Sequence, residues 1–395
     1  MPLPEPSDNK TCVMAALFWI LLGLVVYVYF GYALLLLVIR ALGGARRVAA
    51  ADHEPPVTLI VSAFNEESVI AEKIENSLAL DYPRERLQII VVSDASEDRT
   101  DAIVRSYADR GVELLRMPER GGKTVGLNAA VARARGELII FSDANAMYRP
   151  DVVRALARNF ADPAVGAAVG ESTYVDPEVE SERSEGLYWR YETAIKQLES
   201  AIGSVVGGDG AIYAIRKELY VPMRADALSD FVNPLQIVKA GFRCIYEPAA
   251  ISYERAADSF EKEFRRKVRI VNRAWRAFFG MSALLNPLRY GFFSFQLLSH
   301  KLLRWLVPVF LAALLVVNAL LVKAGTLYAV LFAGQILFYL LALGGHLARR
   351  GPQMPFAISV PYYFCLVNLA SALGILDVLR GKRYTTWTTA RANSA

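Results

Sequence analysis

The chain has 395 residues, 54% hydrophobic and 21% charged, with a net charge of +5 and a mean hydropathy of +0.29, too apolar for an ordinary soluble enzyme and too charged for membrane helices alone. Cys12, Cys244 and Cys365 are too scattered for a disulfide framework or a zinc site, and three histidines argue against His-based metal chemistry. No Lys/Arg-rich run with interleaved aromatics points to nucleic acid, so the positive charge reads as facing a membrane surface or phosphates.

Residues 1–11 form a polar tail, and the apolar run 12–42 is long enough to cross a hydrocarbon core of roughly 30 Å. A cleaved signal fits poorly: the start carries Glu5, Asp8 and Lys10, and the run is about twice the usual 7–15 residues. Arg40, Arg46 and Arg47 at its far end place that end in the cytoplasm and the N-terminus outside.

Residues 55–258 read as a cytoplasmic α/β domain. "VTLIVSAF" (57–64) predicts a buried strand, followed by a helix over 65–80 with its charges outward. Strands over 87–94, 112–117 and 137–143 alternate with helices over 97–110 and 123–134. That alternation predicts a mostly parallel sheet wrapped on both faces, with ligands at the carboxyl ends of its strands. Asn65, Glu66, Asp94, Asp143 and Asn145 all fall at that edge.

Residues 259–300 read as amphipathic interfacial helices. At 100° per residue, Phe260, Phe264, Val268, Val271, Trp275 and Phe278 share one arc, with Lys262, Arg265, Arg266, Arg269, Arg273 and Arg276 opposite. Three more spanning candidates lie near 302–322, 326–345 and 356–379, before a tail over 380–395. "RGKR" (380–383) follows the last of them and Arg349 and Arg350 precede it, so charge gives that segment no clear direction. A re-entrant 356–379 or a spanning 283–300 would bring "GKRYTTW" near the cleft.

A nucleotide at the strand ends needs a carboxylate for its base or ribose, which Glu66 and Asp94 offer, and phosphate donors, which Lys123 and the free N–H groups of "RGGKT" offer. "GGKT" is not a P-loop, because position 117 is Met rather than Gly. Asp143 and Asn145 alternate along one extended segment and face the same side, so with two phosphate oxygens and waters they can complete the shell of Mg2+ or Mn2+. The alternative for "SDAN" is a polar strand end with a turn. For Asp230 it is a helix N-cap.

"SAFNEE", "VVSDASEDRT", "RGGKTVGLN" and "FSDANA", continued by "GGDGAIYAIRKEL", "LSDFVNPLQIVKAG" and "RKVRIVNRAW", resemble the GT-A fold of membrane-integrated family 2 glycosyltransferases, the group of processive polysaccharide, chitooligosaccharide, hyaluronan and cellulose synthases. The resemblance implies a UDP-sugar donor, an Asp-x-Asp metal motif and inversion at the anomeric carbon. It implies Asp230 as general base and Phe64, Glu66, Asp94, Lys123, Asp143, Asn145 and Arg273 on the donor. On the acceptor side it implies Asp209 and Trp275. Asn145 replaces the second motif acid, Ser229 stands where many relatives have another acid, and "VNRAW" departs from Gln-x-x-Arg-Trp.

The expectation is an enzyme of a bacterial inner membrane that extends a β-linked glycan, alone, as a homo-oligomer or with an export partner. The alternatives are addition of one sugar to a lipid-linked acceptor and, from another class, a non-catalytic nucleotide-sugar sensor or assembly subunit. The membrane segments carry too few interior charges for a transporter.

Overall fold

The computed structural model describes residues 6–174, 181–254, 260–348 and 354–386. At its centre lie β1 (Val57–Ala63) and β2 (Leu87–Ser93), buried at every position. Burial on both faces explains why these segments read as unbroken apolar runs.

β3 (Val112–Arg116) and β4 (Leu138–Asp143) flank them, all four parallel. β5 (Met147–Tyr148), β6 (Val165–Tyr174), β7 (Ile212–Arg216) and β8 (Arg243–Glu254) complete the order β3-β2-β1-β4-β7-β6-β8-β5. β7 enters antiparallel to β4 and β6, whereas β6 and β8 pair in parallel. The sheet is thus mostly parallel, and its sense changes beside β4. The helix Ile70–Leu78 covers one face, and Lys123–Arg133 and Ser229–Lys239 cover the other.

Lys73 departs from the outward charges expected of its helix, being fully buried. It shares the inward stripe of Ile70, Ile74 and Ser77, which helical spacing puts on one face.

Four helical segments among the described residues are long and apolar enough to cross a membrane: Asn9–Gly44, Phe292–Ala324, Thr326–Ala348 and Phe356–Leu379. The second begins about ten residues before its sequence estimate, within the stretch read as interfacial. Its opening turns carry Gln296, Ser299 and His300, buried polar residues that dilute the hydropathy of this stretch. At about 1.5 Å per residue its 33 residues measure about 50 Å, so one end stands beyond a hydrocarbon core of roughly 30 Å.

The helix Phe260–Gly280 lies against the last membrane helix. A Cβ at Gly374 would come within 2.9 Å of the Val268 carbonyl oxygen, so only glycine permits this approach. A buried ionic group joins the helix Ser181–Ile202 to the membrane part. His300 meets Glu199 at 2.8 Å and Glu192 at 3.2 Å, Arg304 pairs with Glu192, and Tyr32 donates to Glu199 at 2.6 Å.

Candidate active site

The strand ends bring together the residues expected on the donor. Past β1, Asn65 takes a positive φ of 52°, and past β2, Ala95 takes 57°, which turns both loops away from the sheet. Phe64 is buried, with the Arg120 guanidinium 3.8 Å from its ring centroid. Glu66 stands beside it, its backbone N–H bonded to Thr100 Oγ1 at 2.8 Å.

Asp94 is 2% exposed and accepts from the N–H groups of Gly121 at 2.8 Å and Gly122 at 2.9 Å. It therefore orders the "RGGKT" loop. Gly122 has φ +91°, and a Cβ there would strike the Thr385 carbonyl oxygen, so the segment after the last membrane helix crosses this loop. Residues 387–395, which include the Trp of "GKRYTTW", lie outside the described part.

Lys123, at the start of its helix, pairs with Asp143 and donates to the Gly210 carbonyl at 3.3 Å. A Cβ at Gly210 would be 3.6 Å from both Lys123 Nζ and Asp230 Oδ2. Glycine thus lets the donor-side lysine and the carboxylate opposite share one small space.

Asp230 occupies the first turn of the helix Ser229–Lys239, whose N-cap is Leu228 with no side-chain capping bond. Its position is not that of the N-cap. Burial raises its carboxyl above the ordinary aspartate range; Asp209 adds to the rise, whereas Lys123 and Arg273 oppose it. Asp209 Oδ1 accepts from Ala211 N at 3.1 Å, and its buried Oδ2 has no hydrogen-bond partner among the described residues.

Asp143 and Asn145 offer a carboxylate and an amide oxygen, both partly exposed. These are hard oxygen donors suited to Mg2+ or Mn2+, and the orphan oxygen of Asp209 adds to the acidic surroundings. No group of three His, Cys, Asp or Glu among the described residues could hold an ion. A cation here would draw its remaining ligands from phosphate and water, a set that fits the residues present.

Two motif positions make contacts within the protein. Arg273 is buried and spends its guanidinium on the carbonyls of Asp226 and Ala227 and on Thr124 Oγ1, tying the lysine's helix to the loop before Asp230. Trp275 is half-buried and packs against Trp305 and Phe279, at centroid separations of 5.9 and 5.1 Å.

Three residues near the site have no site role in the sequence reading. Arg269 makes no hydrogen bond or ion pair among the described residues. Burial, then the positive charges of Arg273 and Arg266, lower it to about 10, and Asp143 opposes that shift. Glu254, at the end of β8, is pushed up to about 8 by burial, then by Asp209 and Asp143. Lys73 donates to the Ala146 carbonyl and lies 3.7 Å from the centroid of the Tyr148 ring, bracing the Asp143–Asn145 turn from beneath. Burial draws it down to about 7. Helical spacing was the available signal for Lys73, and the i+4 step from Arg269 to Arg273 the signal for Arg269.

Residues 58–219 match the model described as Glycosyl transferase family 2. An N-acetylglucosaminyltransferase of Rhizobium meliloti (strain 1021) is 29% identical over 258 residues, 59% of each chain. Another, from Rhizobium leguminosarum bv. viciae, is 28% identical over 245 residues, 56% of each. The chain therefore spans a little over half the length of these curated relatives. Among solved structures, the mannosyltransferase PcManGT from Pyrobaculum calidifontis, in complex with GDP-Man and Mn2+, superposes with a TM-score of 0.70 at 24% identity, covering 93% of this chain and 99% of that one. At that identity the likeness concerns the fold.

Proposed function

We infer, for a membrane-integrated chain that belongs to the family 2 glycosyltransferases through a GT-A domain, that it moves a sugar from a UDP-sugar to the hydroxyl of a growing β-linked polysaccharide or oligosaccharide, with inversion. The supporting observation is the convergence at Gly210 of Lys123 and Asp230.

In this reading Asp94, Glu66 and Phe64 receive the nucleoside. Lys123, the N–H groups of its helix start and Arg269 receive the diphosphate. Asp143 and Asn145 hold a divalent cation, which when bound offsets charge on the departing UDP. Asp230, raised by burial, takes the proton from the acceptor hydroxyl as that oxygen attacks the anomeric carbon. Arg273 and Lys73 position these groups without touching substrate. Asp209 and Trp275 border the acceptor.

UDP release is the direct test, measured in nanodiscs across a panel of UDP-sugars with Mg2+ or Mn2+, beside Asp230→Asn. Release with one sugar that is lost in the variant supports the reading. Intact nucleotide binding without release from any donor, with candidate acceptors present, would overturn it in favour of a sensor or assembly subunit. A second reading, addition of one sugar to a lipid-linked acceptor, is favoured by the Lys301 ammonium, which would lie 3.8 Å from a Cβ at Gly207. Product sizing separates the two.

A further inference from the structure

We propose that Lys301 marks a subsite for a phosphate group carried by the acceptor, on the membrane side of the Gly207–Gly210 loop. The proposal rests on the reading of the cleft as a transferase site. It names the acceptor's chemical class.

Lys301 belongs to a π-helical stretch, Leu298–Leu303, at the start of the second membrane segment. Such bulges cost helix geometry and frequently occur at functional positions. Its neighbouring carboxylates are already engaged. Glu192 meets Arg304 through one oxygen and His300 through the other. Glu199 accepts from Tyr32 and meets His300 through Oε1, and accepts from Val206 N at 3.2 Å through Oε2. Lys301 itself makes no ion pair or hydrogen bond through its ammonium among the described residues. Lys301 is half-buried, and with the nearby carboxylates engaged elsewhere its ammonium can take an anion from outside the chain.

The place of that ammonium connects it to the reaction. A Cβ at Gly207 would lie 3.8 Å from Lys301 Nζ and 3.5 Å from the Phe231 ring, so glycine leaves the ammonium uncovered on its loop side. The next residue, Gly208, donates its N–H to the Asp230 carbonyl at 2.6 Å. Phe231 and Trp305, with ring centroids 5.9 Å apart, form an apolar wall beside it. One cation against an aromatic wall, where a membrane helix meets the domain, suits a phosphate attached to a hydrocarbon chain. The phosphate anchors there and forms no bond to Lys301.

Geranyl phosphate is the probe, titrated into the full chain in phosphatidylcholine nanodiscs and followed by quenching of tryptophan fluorescence, with geraniol and inorganic phosphate as controls. Wild type and Lys301→Arg are expected to bind it at least tenfold more tightly than Lys301→Met, with geraniol indifferent to all three. Unchanged UDP binding in each variant reports an intact fold. Equal binding by Lys301→Met, or geraniol matching the phosphate, overturns the proposal. Inorganic phosphate binding as tightly identifies a free-phosphate site. Displacement of the probe by phosphatidylglycerol nanodiscs identifies a bilayer headgroup site, and either result overturns the acceptor assignment. Failure of wild type to bind UDP sinks the transferase reading, whereas probe binding that depends on Lys301 stands or falls separately.

Discussion

Asp230 links activity and stability in opposite directions. Its folded-state pKa lies above the unfolded value, so protonation favours the fold, and the contribution is lost as pH rises through the raised value. Asp230→Asn is expected to lower sugar transfer by about a hundred- to ten-thousand-fold. It should also melt higher than wild type at pH 8, a gain that shrinks toward pH 4; an equal or lower melting temperature at pH 8 would refute the burial argument. Asn145→Asp adds a carboxylate to the cation site and should tighten Mn2+ binding about tenfold, read by paramagnetic resonance without donor. Arg269→Ala should raise the donor KM roughly tenfold with little change in melting temperature, because its guanidinium has no hydrogen-bond or ion-pair partner to lose among the described residues. Arg273→Ala should instead lower the melting temperature, leaving the carbonyls of Asp226 and Ala227 without their donor. Asp143 is legible in the sequence because it closes an apolar strand, whereas Asn145 lies past the strand end in a turn, so the extended alternation expected of the pair does not hold and does not fix its side. Lys73 and Arg269 are harder to read: a lone cation on a helix looks solvated until the neighbouring elements are in place.

Among the elements, β1, β2 and β4 are readable because burial on both faces makes them continuous apolar runs. β8 is not: its residues Arg243–Glu254 include Pro248, with a short buried run before it and mixed burial after it, and its place is set by register with β6. The start of the second membrane segment is hidden for a related reason, since its polar side chains find partners in the domain rather than in water. Glycines mark the tightest contacts between elements. Gly122→Ala combines a backbone conformation essentially confined to glycine, φ +91° with ψ 158°, with a collision against the Thr385 backbone, and should weaken UDP binding about tenfold. Isothermal titration with UDP checks this, and wild-type affinity in the variant would mean that the loop does not hold the diphosphate.

Across the whole molecule, the arginines after the first membrane segment predict an external N-terminus. Cys12 is exposed near the start of a first segment of 36 residues, which at about 1.5 Å per residue is longer than a hydrocarbon core of roughly 30 Å, whereas Cys244 is buried and Cys365 lies well inside the last membrane helix, so an impermeant maleimide applied outside should label the chain at Cys12 alone. Labelling only from the cytoplasmic face would reverse the topology. The contact between Gly122 and Thr385 joins residues separated by the later part of the domain and three membrane segments. During synthesis the sheet and its strand-end loops leave the ribosome long before Thr385 does. The nascent chain can therefore fold its nucleotide domain early, but the phosphate loop gains this neighbour only after the fourth membrane helix has been made, which ties completion of the cleft to completion of insertion.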